Sequence, residues 1–302
     1  MRILTVSLAS LLSVSLLACG DDEHDHDHNA DAAPASPDAA GSPDAAPQAQ
    51  AVSIRFAAEV GGQAFACGTS YPGLGTPPTA YVGTDFRFYV SSVLLTPVGG
   101  GAGVPVTLTG YDNQADGLAL LDFENNAGAC QMGSTATYTT LVGTVPPGSY
   151  DGISFVVGVP EDKNHLDYAA AITPLNAPGM HWAWRAGYKF LKIDGAIGAA
   201  GFNLHLGSTG CPGADPAAPP TSACTNGNRM SIALTGFDPA TDTIVADIAP
   251  VLATSNLSVN TPMTAPGCMS FPADPECLPI FPRLGLTYET AVAADQQLFT
   301  VR

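Results

Sequence analysis

The chain has 302 residues, with 27 Asp and Glu against 10 Lys and Arg, and a formal net charge of −17. That balance excludes nucleic acid as a partner, because a phosphate backbone needs cationic patches. It also opposes adsorption to anionic lipid surfaces, and suits solubility and encounters with cations or a basic partner.

Residues 1–18 read as a targeting leader. Arg2 supplies the positive end, and the apolar run 3–17 is too short for a membrane span. Leu16-Leu17-Ala18-Cys19 then reads as a bacterial lipobox. The expectation is that Cys19 becomes a lipidated N-terminus, anchoring the exported protein to the outer membrane and facing periplasm or cell surface. The membrane is then met through the N-terminal lipid only. Residues 19–50 form a tether of Ala, Pro, Asp and Ser with too little apolar surface to offset its ordering entropy. As a flexible coil it reaches on the order of 30 Å. His24, His26 and His28 alternate with Asp25 and Asp27 there, a pattern suited to weak metal capture with nothing to fix its geometry.

Residues 51–302 are expected to form one all-β domain. Strand-like runs cover residues 52–60, 85–96, 104–108, 118–123, 136–142, 152–159, 188–193, 202–206, 230–234, 243–248 and 298–301. In the first, Ile54, Phe56 and Ala58 alternate with Ser53, Arg55 and Ala57. Gly- and Pro-rich clusters separate the runs, and no long segment keeps a 3.6-residue period. Residues 114–120 and 284–297 are read as short helical turns. The predicted architecture is a disulfide-stapled, Greek-key-like β-sandwich with long loops.

After Cys19, six cysteines remain: Cys67, Cys130, Cys211, Cys224, Cys268 and Cys277. An even number in an exported chain reads as disulfides, and no C-x-x-C suggests a zinc ribbon or redox site. Of the fifteen connectivities, the preferred one is Cys67–Cys130, Cys211–Cys224 and Cys268–Cys277. The last two pairs close short loops.

The histidines outside the tether, His165, His181 and His205, share a forty-residue window with both tryptophans, Trp182 and Trp184. Each residue singly fits an ordinary structural role, but together they form a candidate metal site, since imidazole suits copper and zinc. On a regular strand Trp182 would face away from His181, so a turn or bulge is needed to aim them at one metal. Met180 beside His181 is read as core. Asp167 and Asp194 are candidate acceptors for histidine N–H groups, with surface charge the preferred reading.

An ordered series of segments carries a resemblance. It comprises Asn164-His165-Leu166-Asp167, Gly179-Met180-His181-Trp182-Ala183-Trp184, Gly187-Tyr188-Lys189-Phe190 and His205-Leu206-Gly207-Ser208-Thr209-Gly210-Cys211. Phe86-Arg87-Phe88-Tyr89 and Leu121-Asp122-Phe123-Glu124-Asn125 fit it too. The chain resembles the MbnP-like family, the metallo-mystery-pair four-Cys proteins with a W-x-W motif. The resemblance implies an exported copper-binding protein, not an enzyme. It implies a dihaem cytochrome c peroxidase-like (MbnH-like) partner that oxidises a tryptophan to kynurenine, completing the copper site. On that basis His165, His205, Trp182 and Trp184 are the site residues, with His181 a departure from the family pattern and an added ligand candidate. Cys67, Cys130, Cys211 and Cys224 match the family's four cysteines, leaving Cys268 and Cys277 as an added staple.

Two other readings compete. One is a tethered module binding carbohydrate or protein through an aromatic platform of Trp182, Trp184 and Tyr188. The other is a zinc hydrolase, disfavoured by the lack of an evident general base near the histidines. No G-x-S-x-G, H-E-x-x-H, Walker or Rossmann motif is present.

Overall fold

The computed structural model describes residues 48–183 and 185–302. The leader, Cys19, the histidines of the tether and Trp184 lie outside the described residues. Strand Gln50–Val60 buries Val52, Ile54, Phe56, Ala58 and Val60 and turns the residues between them outward. It pairs antiparallel with Thr140–Val145 and parallel with Thr243–Asp247, which in turn pairs with Phe299–Val301. The second sheet runs Met230–Thr235, Tyr150–Val157, Thr79–Pro97, Leu191–Ile197, Ala200–Leu206, Gly267–Cys268. Leu118–Asp122 also pairs with the long strand Thr79–Pro97. The two sheets meet through edge-to-face aromatics. Phe56 of the first packs on Phe88 and Phe155 of the second, and Phe299 closes on both at 5.4 and 5.3 Å. The fold is all-β and disulfide-stapled, with the cysteines paired Cys67–Cys130, Cys211–Cys224 and Cys268–Cys277.

Several predicted elements change. The run 104–108 divides: Val104–Pro105 joins the second sheet and Thr107–Leu108 the first, so the chain crosses over at buried Val106. Residues 114–120 are not helical. Gln114–Ala115 and Leu118–Asp122 pair as a hairpin around Asp116 and Gly117, both at positive φ, the geometry a two-residue hairpin turn requires. Past Leu284, residues 285–297 are not helical either. The 3-10 turn Phe281–Leu284 ends at Gly285, whose left-handed φ of 77° terminates it. The short α-helices are Glu161–Asn164 and Ile248–Leu252, the latter capped by the Asp247 carboxylate.

The second sheet is covered on both faces. Alternation sends Phe86, Phe88, Leu191, Ile193, Leu204 and Leu206 into the main core. It sends Asp85, Arg87, Lys192 and His205 to the opposite face, where they are buried as well. Part of that face holds a second core of Tyr89, Leu118, Leu120, Val159, Leu175, Met180, Tyr188 and Phe190. Segment 159–190 therefore roofs the sheet. Beneath the roof, strand register lays Asp122, Arg87, Lys192 and His205 side by side across four strands. Arg87 grips Asp85 with both ends of its fork, at 2.8 and 2.6 Å. Lys192 bridges Asp85 to Asp194.

This buried row governs the response of the fold to substitution and to pH. Asp85→Ala leaves Arg87 and Lys192 without their shared counter-ion, and should cost about 3–5 kcal/mol in urea unfolding. Asp122 has no cation of its own. Burial, opposed by Arg87 and reinforced by Glu124, raises its carboxyl to about 7. A raised carboxyl contributes stability below its unfolded pKa of about 4 and loses it as pH climbs through 7. Wild-type stability should therefore fall by on the order of 2–4 kcal/mol across that window, and Asp122→Asn should flatten the fall. An unchanged pH profile in the variant would assign the fall to other groups.

Candidate metal centre

The roof begins with the turn Glu161–Asn164, and the last residue of that turn anchors the rest of the segment. Asn164 is fully buried, and its Oδ1 accepts the backbone N–H of Tyr188 at 3.0 Å. Gly187 lies so close that a Cβ there would sit 2.5 Å from the Asn164 carbonyl, and its φ is +73°, so glycine is required. Asn164 Nδ2 donates to His165 Nε2 at 3.0 Å, and Cys224 Sγ lies 3.3 Å from the same nitrogen. His165 is thereby held against the Cys211–Cys224 disulfide.

The short strand His181–Ala183 pairs irregularly with Gly187–Tyr188. Consecutive side chains still part to opposite sides. His181 stacks on Tyr168, with ring centroids 4.7 Å apart and planes 12° apart, and meets Tyr188 edge-on at 5.0 Å. Its Nε2 is buried with no hydrogen-bond partner. Burial, with Lys189 and then His165 nearby, lowers its pKa, so the ring is neutral at neutral pH. Trp182 packs on the other side, between His205 at 6.3 Å and Phe271 at 5.7 Å. Its ring presses on Gly207, where a Cβ would come within 2.5 Å of the indole. The glycine of the H-L-G-S-T-G-C segment is therefore the seat of the tryptophan.

His205 carries the most informative geometry. Its Nε2 lies 2.6 Å from Asp194 Oδ1. Burial lowers the imidazole's pKa despite the carboxylate beside it, and Lys189 and Lys192 reinforce the effect. Burial alone would raise Asp194, but its bonds to His205 and Lys192 hold it well below the usual carboxylate range. A neutral imidazole beside an anionic carboxylate fixes the proton: Nε2–H donates to Asp194, and Nδ1 keeps its lone pair. That Nδ1 is buried and has no partner. A carboxylate holding one imidazole nitrogen while the other stands free is how proteins orient a histidine for a metal.

The sequence-predicted residues thus fall into two groups. Trp182 and His205 lie together on one side of the 181–183 strand, and His181 lies on the other with an electrostatic influence from His165. The three imidazoles do not all come within 4.8 Å of one another; among the described residues the donor groups that do are His165 with Cys211 and Cys224, and Cys67 with Glu124 and Cys130, and in both the cysteines are disulfide-bonded. Asp194 is not surface charge but the acceptor that fixes His205. Asp167 instead caps the 3-10 turn Tyr168–Ala170 through Ala169 N–H. Met180 is fully buried in the second core. Tyr188 is buried too, and burial, with Tyr168 and Asp167, raises its hydroxyl to about 12, so it offers no surface to a platform. Sequence reasoning missed Tyr168, Lys192 and Phe271. Lys192 alone carried a signal, as a charge alternating with core residues in Leu191-Lys192-Ile193-Asp194.

Comparison with known proteins places this arrangement. No curated protein matches the chain. The MbnP family model matches residues 49–270. The solved structure of MbnP from Methylosinus trichosporium superposes with a TM-score of 0.73 at 31% identity, covering 84% of this chain and 98% of that one. A family match across most of the chain, joined to a shared fold at that identity, makes this protein a member of the MbnP family.

Proposed function

We propose that this protein is an exported copper-binding lipoprotein, serving copper acquisition or storage rather than catalysis. In this reading the copper site is built on His205 and the residue at position 182. The observation that carries it is the free, buried Nδ1 of His205, held in that tautomer by Asp194 with the Trp182 ring against it. Imidazole is a good ligand for copper, and the ring need lose no proton at neutral pH to bind it. His181, with its own unpartnered Nε2, supplies a second imidazole only if the irregular pairing at 181–183 lets it turn toward the same point.

An unmodified indole is a poor ligand. Opening it to kynurenine breaks the indole C2–C3 bond in a four-electron oxidation that adds an oxygen to each carbon; hydrolysis then releases C2 as formate, a net exchange of one carbon for one oxygen that leaves an aryl amine and a ketone, both with lone pairs. The oxidant comes from a dihaem cytochrome c peroxidase-like partner, because this chain has no C-x-x-C-H haem attachment motif. Seated against Gly207, the altered side chain would keep its new donors on the side of the strand that holds His205. The aromatic-platform alternative is weakened by the burial of Tyr188.

The reading is tested by peptide mass spectrometry and copper retention after dialysis, with and without the dihaem partner. The expected result is the carbon-for-oxygen mass change at Trp182 or Trp184 only in the partner's presence, with copper retention rising alongside it. Unmodified tryptophans and no retained copper would end this reading. Among single variants, His205→Ala should abolish retention. Asp194→Asn, which keeps the shape but releases the tautomer, should weaken copper affinity by about 10- to 100-fold. If instead His165→Ala or His181→Ala abolishes retention and His205→Ala does not, the site lies on the opposite side of the strand.

A further inference from the structure

The third disulfide closes a loop that reaches the candidate site. Gly267–Cys268 pairs in parallel with Ala200–Leu206, placing the start of the loop beside the strand that carries His205. Two residues later, buried Ser270 donates its hydroxyl to the backbone carbonyl of His205 at 2.8 Å. Phe271 comes next, 48% exposed, with its ring against Trp182 at 5.7 Å and 40°. It also walls a cavity of about 170 Å³ shared with Arg185, Ser208 and Thr209.

The loop is built to hold Phe271 there. Ser270 and Ala273, on either side of it, both adopt left-handed backbone conformations at φ 64°. For residues with a Cβ this is costly and persists only when the surroundings impose it, commonly at functional sites. The surroundings do impose it. The Phe271 carbonyl accepts the Tyr288 hydroxyl at 2.5 Å, and Asp274 N–H donates to the same oxygen of Tyr288 at 2.9 Å. Ala273 N–H donates to Glu289 at 2.6 Å, and Cys277 is fully buried. An aromatic ring is thus left half in solvent on a loop whose two ends are fixed.

We propose that Phe271 is a shield over Trp182, and that the Cys268–Cys277 loop sets how far water and small oxidants reach the indole. A shield of this kind suits a residue that is to be altered only by its proper partner, a consequence that rests on the function proposed above. The contact itself does not rest on it. Phe271 is a positioning residue: it touches the tryptophan and leaves the ligand atoms of His205 alone.

Hydroxyl-radical labelling of the full, metal-free chain, prepared without the partner, tests the shield. Tandem mass spectrometry of the peptide spanning 179–189 resolves Trp182 from Trp184. Phe271→Ala should raise the labelling rate of Trp182 severalfold, while exposed Tyr111, far along the chain, keeps its rate. Phe271→Tyr, which restores a ring, should return Trp182 to the wild-type rate. The paired Cys268→Ser, Cys277→Ser variant should reproduce the alanine effect if it folds, and the alanine variant stands alone if it does not. An unchanged Trp182 rate in Phe271→Ala overturns the proposal, and so does a rise that Tyr111 shares, because that reports general loosening. No arm requires copper or the partner, so failure here leaves the copper reading standing, and failure of that reading leaves this result standing.

Discussion

The register of the second sheet is the constraint on which the site depends. Asp122, Arg87, Lys192 and His205 occupy neighbouring positions on four strands, all on the face turned away from the main core. A slip of one residue in any of these strands would drive a charge among Phe86, Phe88 and Ile193 and bring an apolar side chain out among the carboxylates. Unpaired charge in that interior is costly. The charges specify the register, and the register brings Asp194 to His205. Arg87 and Lys192 share Asp85, which leaves Lys192 able to hold Asp194 as an anion as well. The free lone pair on His205 is therefore a property of the sheet and not of one side chain.

The roof over that sheet depends on the same row in a different way. Buried charges must be kept from water, and segment 159–190 does this by packing Leu175, Met180, Tyr188 and Phe190 as a second core beside them. That segment is also the one that carries His165, His181 and Trp182. Its attachment relies on Asn164 and Gly187, and its fit to the sheet on Gly207, where the indole lies against bare backbone. Replacing either glycine would lift the roof and the tryptophan together, which links folding to the placement of the site.

Much of the fold was legible because its signals are local. Alternation in residues 52–60 reports one buried face, and six cysteines beyond Cys19 report staples. The run 118–123 reads as a strand and forms one over Leu118–Asp122, while the overlapping helical turn expected over 114–120 gives way to the hairpin with Gln114–Ala115. The Asp116-Gly117 turn that decides between them was present in the sequence. Of the cluster of imidazoles and indoles that the sequence placed in one window, the structure brings Trp182 and His205 together and sets His181 apart. The division of His181 from Trp182 also followed from strand alternation. Partnership across strands was the part that local signals could not supply. Asp194 looked like surface charge because nothing local says that Lys192 and His205 flank it, and Phe271 had no meaning until its loop was seen to reach Trp182.

One face of the 181–183 strand holds an imidazole fixed by a carboxylate, and the other holds an imidazole stacked on Tyr168 and edge-on to Tyr188. The first has a lone pair aimed by a rigid network but only an indole beside it, which has no lone pair to offer a metal. The second has its nitrogen unpartnered but no carboxylate to orient it. Among the described residues, neither face by itself brings two unpartnered imidazole nitrogens together. Moving a second ligand to His205 would mean rebuilding the roof, at the expense of the contacts that bury the charged row. Changing the chemistry of the side chain already seated on Gly207 adds donors where the fold has placed a ring, and leaves every strand in register. On the proposed function, a metal site finished by altering Trp182 would leave the fold fully packed beforehand, and the Phe271 ring against that indole would bear on when the change occurs as well as on structure.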